Sequence, residues 1–422
     1  MRVVIINKSD STGGAAIVSR RLMEALRLTG VDARMLVCEK LTDSPYVELA
    51  ASPSLIKRKF IKERLKIFIA NGFNRSTLFK IDTGSDGLPL WRHPLVTGAD
   101  AIMLNWVNQG MLSLKGVRKI LQLGKPVVWT MHDMWNMTGI CHHAGECNHF
   151  SHECGSCPLM GKNASLKDLS HKIWLRKNGI YSQKDLMKRM AFVAVSSWLK
   201  GRASESSLLK DQRVEVIPNA FNITGEKNQT ASAKTGIRIL FGAARLDDPI
   251  KGLNTLIAAS QILKKDYPEI SNNLEIALFG AVKNPEALKG FQLPVVNLGV
   301  LKGEEEVRKA YEDSHILISA SFYETLPGTL VEAQAYGCIP VCFNRGGQPD
   351  IISPNSTGFM VEFNDNPEQR AKNLAEGIVQ AWEIIRNHQM HHQMIARMRK
   401  NVEDKFSYKS VAEKYISLIN SL

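Results

Sequence analysis

Glu324 and Glu332, with seven residues between them, lie in Ser319-Ala-Ser-Phe-Tyr-Glu324-Thr-Leu-Pro-Gly-Thr-Leu-Val-Glu332-Ala-Gln-Ala-Tyr-Gly337. Glu324 falls just past a short apolar run that reads as a strand, in the loop at its carboxyl end. Thr325 is placed to cap a following helix, Pro327 suits its first turn, and Gly337 suits its exit. On that reading Glu332 lies about two turns along the helix. The amides of Gly328 and Thr329 then sit at the positive helix end, where a diphosphate could be cradled. Taken alone, the pair reads as one exposed carboxylate at a helix entry and one on a solvated face. Upstream stands Gly242-Ala-Ala-Arg245-Leu-Asp-Asp-Pro-Ile-Lys251-Gly252. Arg245 and Lys251 flank a loop that leaves another strand, with Gly252 opening a helix. Two cations so placed can clamp a diphosphate, Arg bidentately and Lys as a point charge.

A second cluster is Cys141-His-His143-Ala-Gly-Glu-Cys147-Asn-His149-Phe-Ser-His152-Glu-Cys154-Gly-Ser-Cys157. Cys154-x2-Cys157 is half of a zinc site, whereas Cys141-x5-Cys147 is looser than usual. Two readings stand side by side: a structural zinc on Cys141, Cys147, Cys154 and Cys157, with the histidines as alternative ligands, or a reduced Cys/His-rich loop. A third feature is the stretch 55–69, where Lys57, Arg58, Lys59, Lys62, Arg64 and Lys66 oppose only Glu63 among interleaved apolar residues. It suits a basic amphipathic helix at an anionic membrane surface; the plainer reading is a solvated helix packed on its own domain.

The elements that must position these residues alternate. Strand readings at Val3–Ile6, Ala33–Val37, Ala101–Leu104, Val127–Thr130, Phe192–Ser196 and Val214–Ile217 are followed by a second series: 238–242, Leu274–Phe279, Ile316–Ser319 and Pro340–Phe343. Helices are expected between them, for example at Gly252–Lys265 and Glu304–Ser314, then one long helix over Pro367–Asn401 and a last one from Tyr408. Such alternation predicts two parallel α/β sheets in tandem. The expected division is 1–221, a polar linker 222–236, 237–400, and a C-terminal segment 401–422 packing back on the first domain. The fold class is α/β, with two doubly wound domains whose strand ends face a ligand cleft. The 422 residues, 44% hydrophobic and 23% charged, exclude disordered, collagen-like and disulfide-miniprotein classes. The net charge of +13 favours anionic partners. Seven cysteines, an odd number, and a first apolar run too short for a signal peptide point to reduced thiols in a cytosol.

The Arg-x5-Lys-Gly loop followed by the two glutamates resembles the retaining glycosyltransferases of family four (glycosyl transferases group 1), whose fold is GT-B. The resemblance extends to Phe279-Gly280, Leu298-Gly-Val, Ala320-Ser321, Gly346-Gly347-Gln-Pro-Asp350, Asp10…Gly13-Gly14 and Ile217-Pro-Asn219, in the family's order over nearly the whole chain. Glu-Thr-Leu-Pro-Gly departs from the family's Glu-Gly-Phe-Gly type sequence. Pro327 removes one amide donor there, so a phosphate cradle would use later amides.

The resemblance implies that Arg245 and Lys251 hold the donor diphosphate and stabilise the departing nucleotide. Glu332 would accept from the ribose hydroxyls, Glu324 would bind donor-sugar hydroxyls, and His132 would contact the donor sugar. Gly14, Gly280, Leu298, Gly328 and Thr329 would complete the donor site, with Gly13, Asn105, Trp106 and Asp133 on the acceptor side. It further implies metal-independent hexosyl transfer with retention, front-face attack by the acceptor, and no catalytic cofactor. The expected partners are a nucleotide-diphosphate sugar, a glycan or lipid-linked acceptor, and an anionic membrane surface at the inner face, in polysaccharide biosynthesis. Nucleic acid is not among them, since no RNP, KH or helix-turn-helix pattern occurs. The alternatives are a nucleotide-sugar epimerase and a non-enzymatic, zinc-containing, nucleic-acid-binding protein.

Overall fold

The computed structural model describes residues 1–222 and 236–422; of the expected linker, 223–235 lies outside the described residues. The chain divides into two compact units, Met1–Ala220 with Tyr408–Leu422, and Phe221–Ser407.

The first unit holds a seven-stranded parallel sheet. Its strands are β1 (Arg2–Ser9), β2 (Asp32–Glu39), β3 (Val47–Leu49), β4 (Ala101–Leu104), β5 (Val127–Met131), β6 (Met190–Ala194) and β7 (Val214–Val216). The order is β3-β2-β1-β4-β5-β6-β7, so the winding reverses between β1 and β4. Val3, Ile5, Ala33, Met35, Val37, Met103 and Val128 are buried beneath the helix Gly14–Leu28, which contributes Leu22, Met23, Ala25 and Leu26. Strands covered on both faces need near-continuous apolar runs, which is why these were legible. One strand is shifted: Ser196 does not extend β6 but caps the helix Ser197–Glu205, its hydroxyl accepting from the Leu199 amide at 3.2 Å.

The second unit repeats the plan with six parallel strands: β8 (Ile237–Arg245), β9 (Leu274–Ala281), β10 (Val295–Gly299), β11 (Ile316–Ser319), β12 (Ile339–Phe343) and β13 (Phe359–Val361). The order β10-β9-β8-β11-β12-β13 reverses between β8 and β11. The expected long helix over 367–401 is two helices, Pro367–Arg386 and His388–Phe406. Asn387 leaves helical geometry between them, and its side chain caps the second by accepting from the Met390 amide. The chain changes unit between Ser407 and Tyr408, later than position 401. Residues 401–406 stay with the second unit because Asn401 donates to Gln334 Oε1 (2.9 Å) and the Ile351 carbonyl (3.0 Å), while the Phe221 amide donates to the Phe406 carbonyl. The helix Tyr408–Asn420 buries Val411, Ala412, Tyr415, Leu418 and Ile419 in the first unit's core. There the Tyr415 hydroxyl lies 3.0 Å from Thr130 Oγ1.

Candidate active site

In doubly wound sheets a crevice opens beyond the carboxyl ends of the strands where the winding reverses. In the second unit that point lies between β8 and β11. Arg245 ends β8, and the loop after β11 carries Glu324. Lys251 closes the 3-10 turn Pro249–Lys251, after which Gly252 turns left-handed (φ 74°) and starts the helix Leu253–Asp266. Gly252 packs on the end of β11: a Cβ there would stand 2.0 Å from the Ala320 carbonyl oxygen. The Phe322 amide donates to the Ile250 carbonyl at 2.8 Å. These backbone contacts bring two sequence-distant loops together, and Lys251 Nζ meets Glu324 Oε1 at 2.5 Å. Both side chains are partly exposed, so the pair itself contributes little stability. Arg245 lies against Asp248 Oδ2 (3.0 Å) and Asp247 Oδ1 (3.5 Å).

Glu324 is also held from behind. Its carbonyl accepts from the Gly347 amide at 2.9 Å, and Gly346 (φ 64°) comes so close that a Cβ would sit 2.5 Å from that same oxygen. Gln348 reaches back to Ser319 Oγ at 2.8 Å. The helix expected after Glu324 starts later than the sequence suggests, at Gly328, with Pro327 rather than Thr325 in the capping position. Pro327 has a φ that a helix would accept, but its ψ of 112° is extended, so it closes the loop and the first turn begins one residue later. Glu332 consequently stands little more than one turn into the helix, its Oε2 accepting from the Tyr311 hydroxyl at 3.1 Å. Gly328 and Thr329 are the first two helical residues. Gly280 closes β9 next to β8, with φ 137° and a Cβ position 1.9 Å from the Ala243 carbonyl, whereas Leu298 lies on the edge strand β10.

In the first unit, Gly13-Gly14, Asn105-Trp106 and His132-Asp133 follow the carboxyl ends of β1, β4 and β5, the strands around the winding reversal. Gly13 adopts φ 86° to start the helix Gly14–Leu28, and nothing lies within 4 Å of a Cβ at either glycine. Asn105 is buried, its side-chain amide donating to Ser19 Oγ at 2.5 Å and its carbonyl accepting from Trp129 Nε1. Asp133 organises the β5 end, accepting from Trp106 Nε1 at 2.9 Å and the Trp135 amide at 2.8 Å. His142 Nδ1 stands 2.7 Å from the same carboxylate. Burial opposes both charges, yet their mutual attraction wins, holding Asp133 down at about 2 and His142 above its ordinary value. The sequence offers His142 only as an alternative metal ligand; its pairing with Asp133, nine residues away, arises because the connection after β5 folds back on itself.

Burial pulls His132 from 6.5 down to about 4, against the raising influence of Asp133, so the imidazole is neutral near pH 7. A folded-state value below the unfolded one means the unfolded chain binds the extra proton first. The resulting stability is complete above about pH 6.5 and is lost as pH falls toward 4. A His132→Gln variant should therefore lose less stability than the parent between pH 7 and 4.5, read from urea midpoints. Identical pH dependence would refute this.

The basic stretch 55–69 forms part of the helix Pro53–Ala70. Its cations are largely paired: Lys59 and Lys62 with Asp86 (2.7 and 3.0 Å), and Arg64 with buried Asp82. Glu63 is fully buried, accepting from the amides of Thr83 and Asp86, both at 3.0 Å. The inner face is thus a packed one. Ile61, Leu65 and Ile69 form an exposed apolar row, near which Lys57 and Arg58 are also exposed. No helix among the described residues is long and apolar enough to cross a membrane.

Residues 224–401 match the family model described as Glycosyl transferases group 1. The D-inositol 3-phosphate glycosyltransferase of Streptomyces avermitilis is 26% identical over 127 residues, 28% of this chain and 27% of that protein. The putative colanic acid biosynthesis glycosyl transferase WcaC of Escherichia coli is 23% identical over 236 residues, 56% of each. The chain spans from 27% to 67% of the length of the first curated relatives that it matches. Among solved structures, Anabaena HepE in complex with UDP superposes over 100% of both chains with TM-score 0.60 at 15% identity. Together with the two parallel-sheet α/β units, these likenesses establish the GT-B fold.

Proposed function

We propose that this GT-B chain, whose residues 224–401 carry the group 1 glycosyl transferase pattern, moves a sugar from a nucleotide-diphosphate donor to a glycan or lipid-linked acceptor in polysaccharide assembly. The observation that carries this reading is that Arg245, the Lys251–Glu324 pair and the helix start at Gly328 all follow the carboxyl ends of β8 and β11, where the winding of the second sheet reverses. Breaking a sugar–phosphate bond leaves growing negative charge on the diphosphate. Two cations and a helix N-terminus can stabilise that charge without a bridging metal. Lys251 would exchange its Glu324 partner for phosphate oxygens on donor binding, freeing the carboxylate for the sugar hydroxyls. Glu332, steadied by Tyr311, would receive the ribose. Asp133 is committed to three donors. In this reading the acceptor hydroxyl attacks from the front face, the leaving phosphate takes its proton and the anomeric configuration is retained.

A panel of nucleotide sugars, read by nucleotide release with and without glycan or lipid-linked acceptors, tests the reading. The expected result is acceptor-dependent release, retained configuration in the product, and activity that survives brief EDTA. If the acceptor is lipid-linked, the exposed row Ile61, Leu65 and Ile69 with Lys57 and Arg58 should also carry the protein onto anionic vesicles. Donor turnover that ignores every acceptor would favour an epimerase instead. Thermal stabilisation by a DNA duplex but not by nucleoside diphosphates would overturn the enzyme reading.

A further inference from the structure

The loop after β5 carries a cluster that the proposed sugar transfer does not use. Cys141, Cys147, Cys154 and Cys157 all line one cavity of about 20 Å³, walled also by Thr138 and Phe150. Sixteen positions of chain separate the first thiol from the last, yet the folded loop returns all four to one place. All seven cysteines of the protein are unbridged, and the other three, Cys38, Cys338 and Cys342, are buried elsewhere. We propose that Cys141, Cys147, Cys154 and Cys157 form a tetrathiolate site for one structural zinc ion, which fastens this loop to the end of the first unit's sheet.

A backbone donor already faces one of the four sulfurs. The Gly139 amide donates to Cys154 Sγ at 3.1 Å, the kind of backbone donor that orients a metal-bound sulfur. Beside the cluster the fully buried Lys177 ties the same loop down, its Nζ donating to the Trp135 and Thr138 carbonyls. Among the described residues no group of three or more His, Cys, Asp and Glu side chains already stands close enough to hold a metal ion. Binding would therefore draw the sulfurs inward. Zinc prefers tetrahedral coordination by four such ligands, and all four thiols already line the one cavity. The reaction needs no oxidant: four S–H protons leave to solvent as four Zn–S bonds form. The histidines are otherwise engaged. His142 pairs with Asp133, His149 Nδ1 lies 2.9 Å from the Gly155 carbonyl, and His171 Nδ1 lies 3.0 Å from that of Cys154.

The consequence is positional. Cys141 forms an isolated antiparallel bridge with Ile81, and the next residue is the His142 that meets Asp133. A metal holding Cys141 would hold that histidine too. Full-length protein purified without added metal should contain about one zinc per chain by elemental analysis. Cys154→Ser with Cys157→Ser should reduce this to a tenth or less, while Cys38→Ala should leave it unchanged. Should the double variant fail to fold, cobalt exchanged into the parent protein gives an independent readout. Tetrahedral thiolate coordination would then show as intense visible absorption. In the native state the four loop thiols should resist alkylation until a chelator is added. Absence of zinc with four readily alkylated thiols would overturn the proposal. So would a disulfide among these cysteines in protein kept under reducing conditions, or octahedral cobalt.

Discussion

Lys251→Ala should lower kcat by on the order of a hundredfold, about 2.7 kcal/mol of transition-state stabilisation. The reasoning starts from the charge that appears on the diphosphate only as the sugar–phosphate bond breaks. A cation meeting that charge acts more on the transition state than on the bound donor, so its loss is read in turnover rather than in affinity. The ammonium is positioned by backbone: the turn Pro249–Lys251, the left-handed Gly252 and the Phe322–Ile250 hydrogen bond fix where it points. Because the Lys251–Glu324 pair is partly exposed, its removal should change folding stability by less than about 1 kcal/mol. A turnover loss is then separable from unfolding by a urea titration of the same variant. Arg245→Ala should behave similarly. Glu332→Gln should instead raise mainly the donor KM, since ribose contacts are equal in ground and transition states. Full turnover in Lys251→Ala would remove this residue from the chemistry.

Gly252→Ala should destabilise the second unit by about 3 kcal/mol, through a left-handed backbone that alanine adopts at a cost and displacement of packed backbone. The added Cβ would lie 2.0 Å from the Ala320 carbonyl oxygen, and the residue holds φ 74°. Neither conflict can be relieved by turning a flexible side chain, because the opposing atom is main chain. The readout is the urea midpoint of the protein. Gly14→Ala is the contrasting substitution. Gly14 has ordinary φ, no heavy atom within 4 Å of its Cβ position, and a place in the first turn of a helix. Alanine there should leave stability unchanged or slightly raised. If Gly14→Ala nonetheless lowers activity, a ligand approaching the backbone is the remaining reason for the glycine. An unchanged midpoint in Gly252→Ala would mean that the β8 and β11 loops are not locked as described.

The strands were legible because a parallel sheet buried on both faces demands continuous apolar runs, as in Val3–Ile6 and Ile316–Ser319. The glycines at the helix ends were legible for a local reason as well: Gly337 at an exit and Gly252 at an entry both adopt left-handed backbone that few other residues tolerate. The motif residues Arg245, Lys251 and Glu324 could be picked out by type and by their place after strands. The helix after Glu324 starts later than a Thr325 cap with Pro327 in the first turn suggests, because the fold of the loop, which spacing does not record, moves the cap to Pro327. Similarly, Asn387 splits one periodic stretch into two helices, and a cap competes with helix continuation by amounts too small to read from spacing.

Pairings across loops belong to a different order of information. Lys251 and Glu324 are 73 residues apart and meet because β8 and β11 are neighbours in the sheet. Asp133 takes Trp106 from the loop after β4 and His142 from farther along its own loop, and the Asn105 side chain donates to Ser19 on the helix Gly14–Leu28. The cations of the helix Pro53–Ala70 looked free in sequence, and several prove to be matched by Asp82 and Asp86 from a later segment. Composition and periodicity record which residues must be inside and which backbone shapes are needed, because those demands act on neighbours in the chain. Which charged group faces which is settled by strand order and loop packing, where the free-energy differences are small and the sequence separations large.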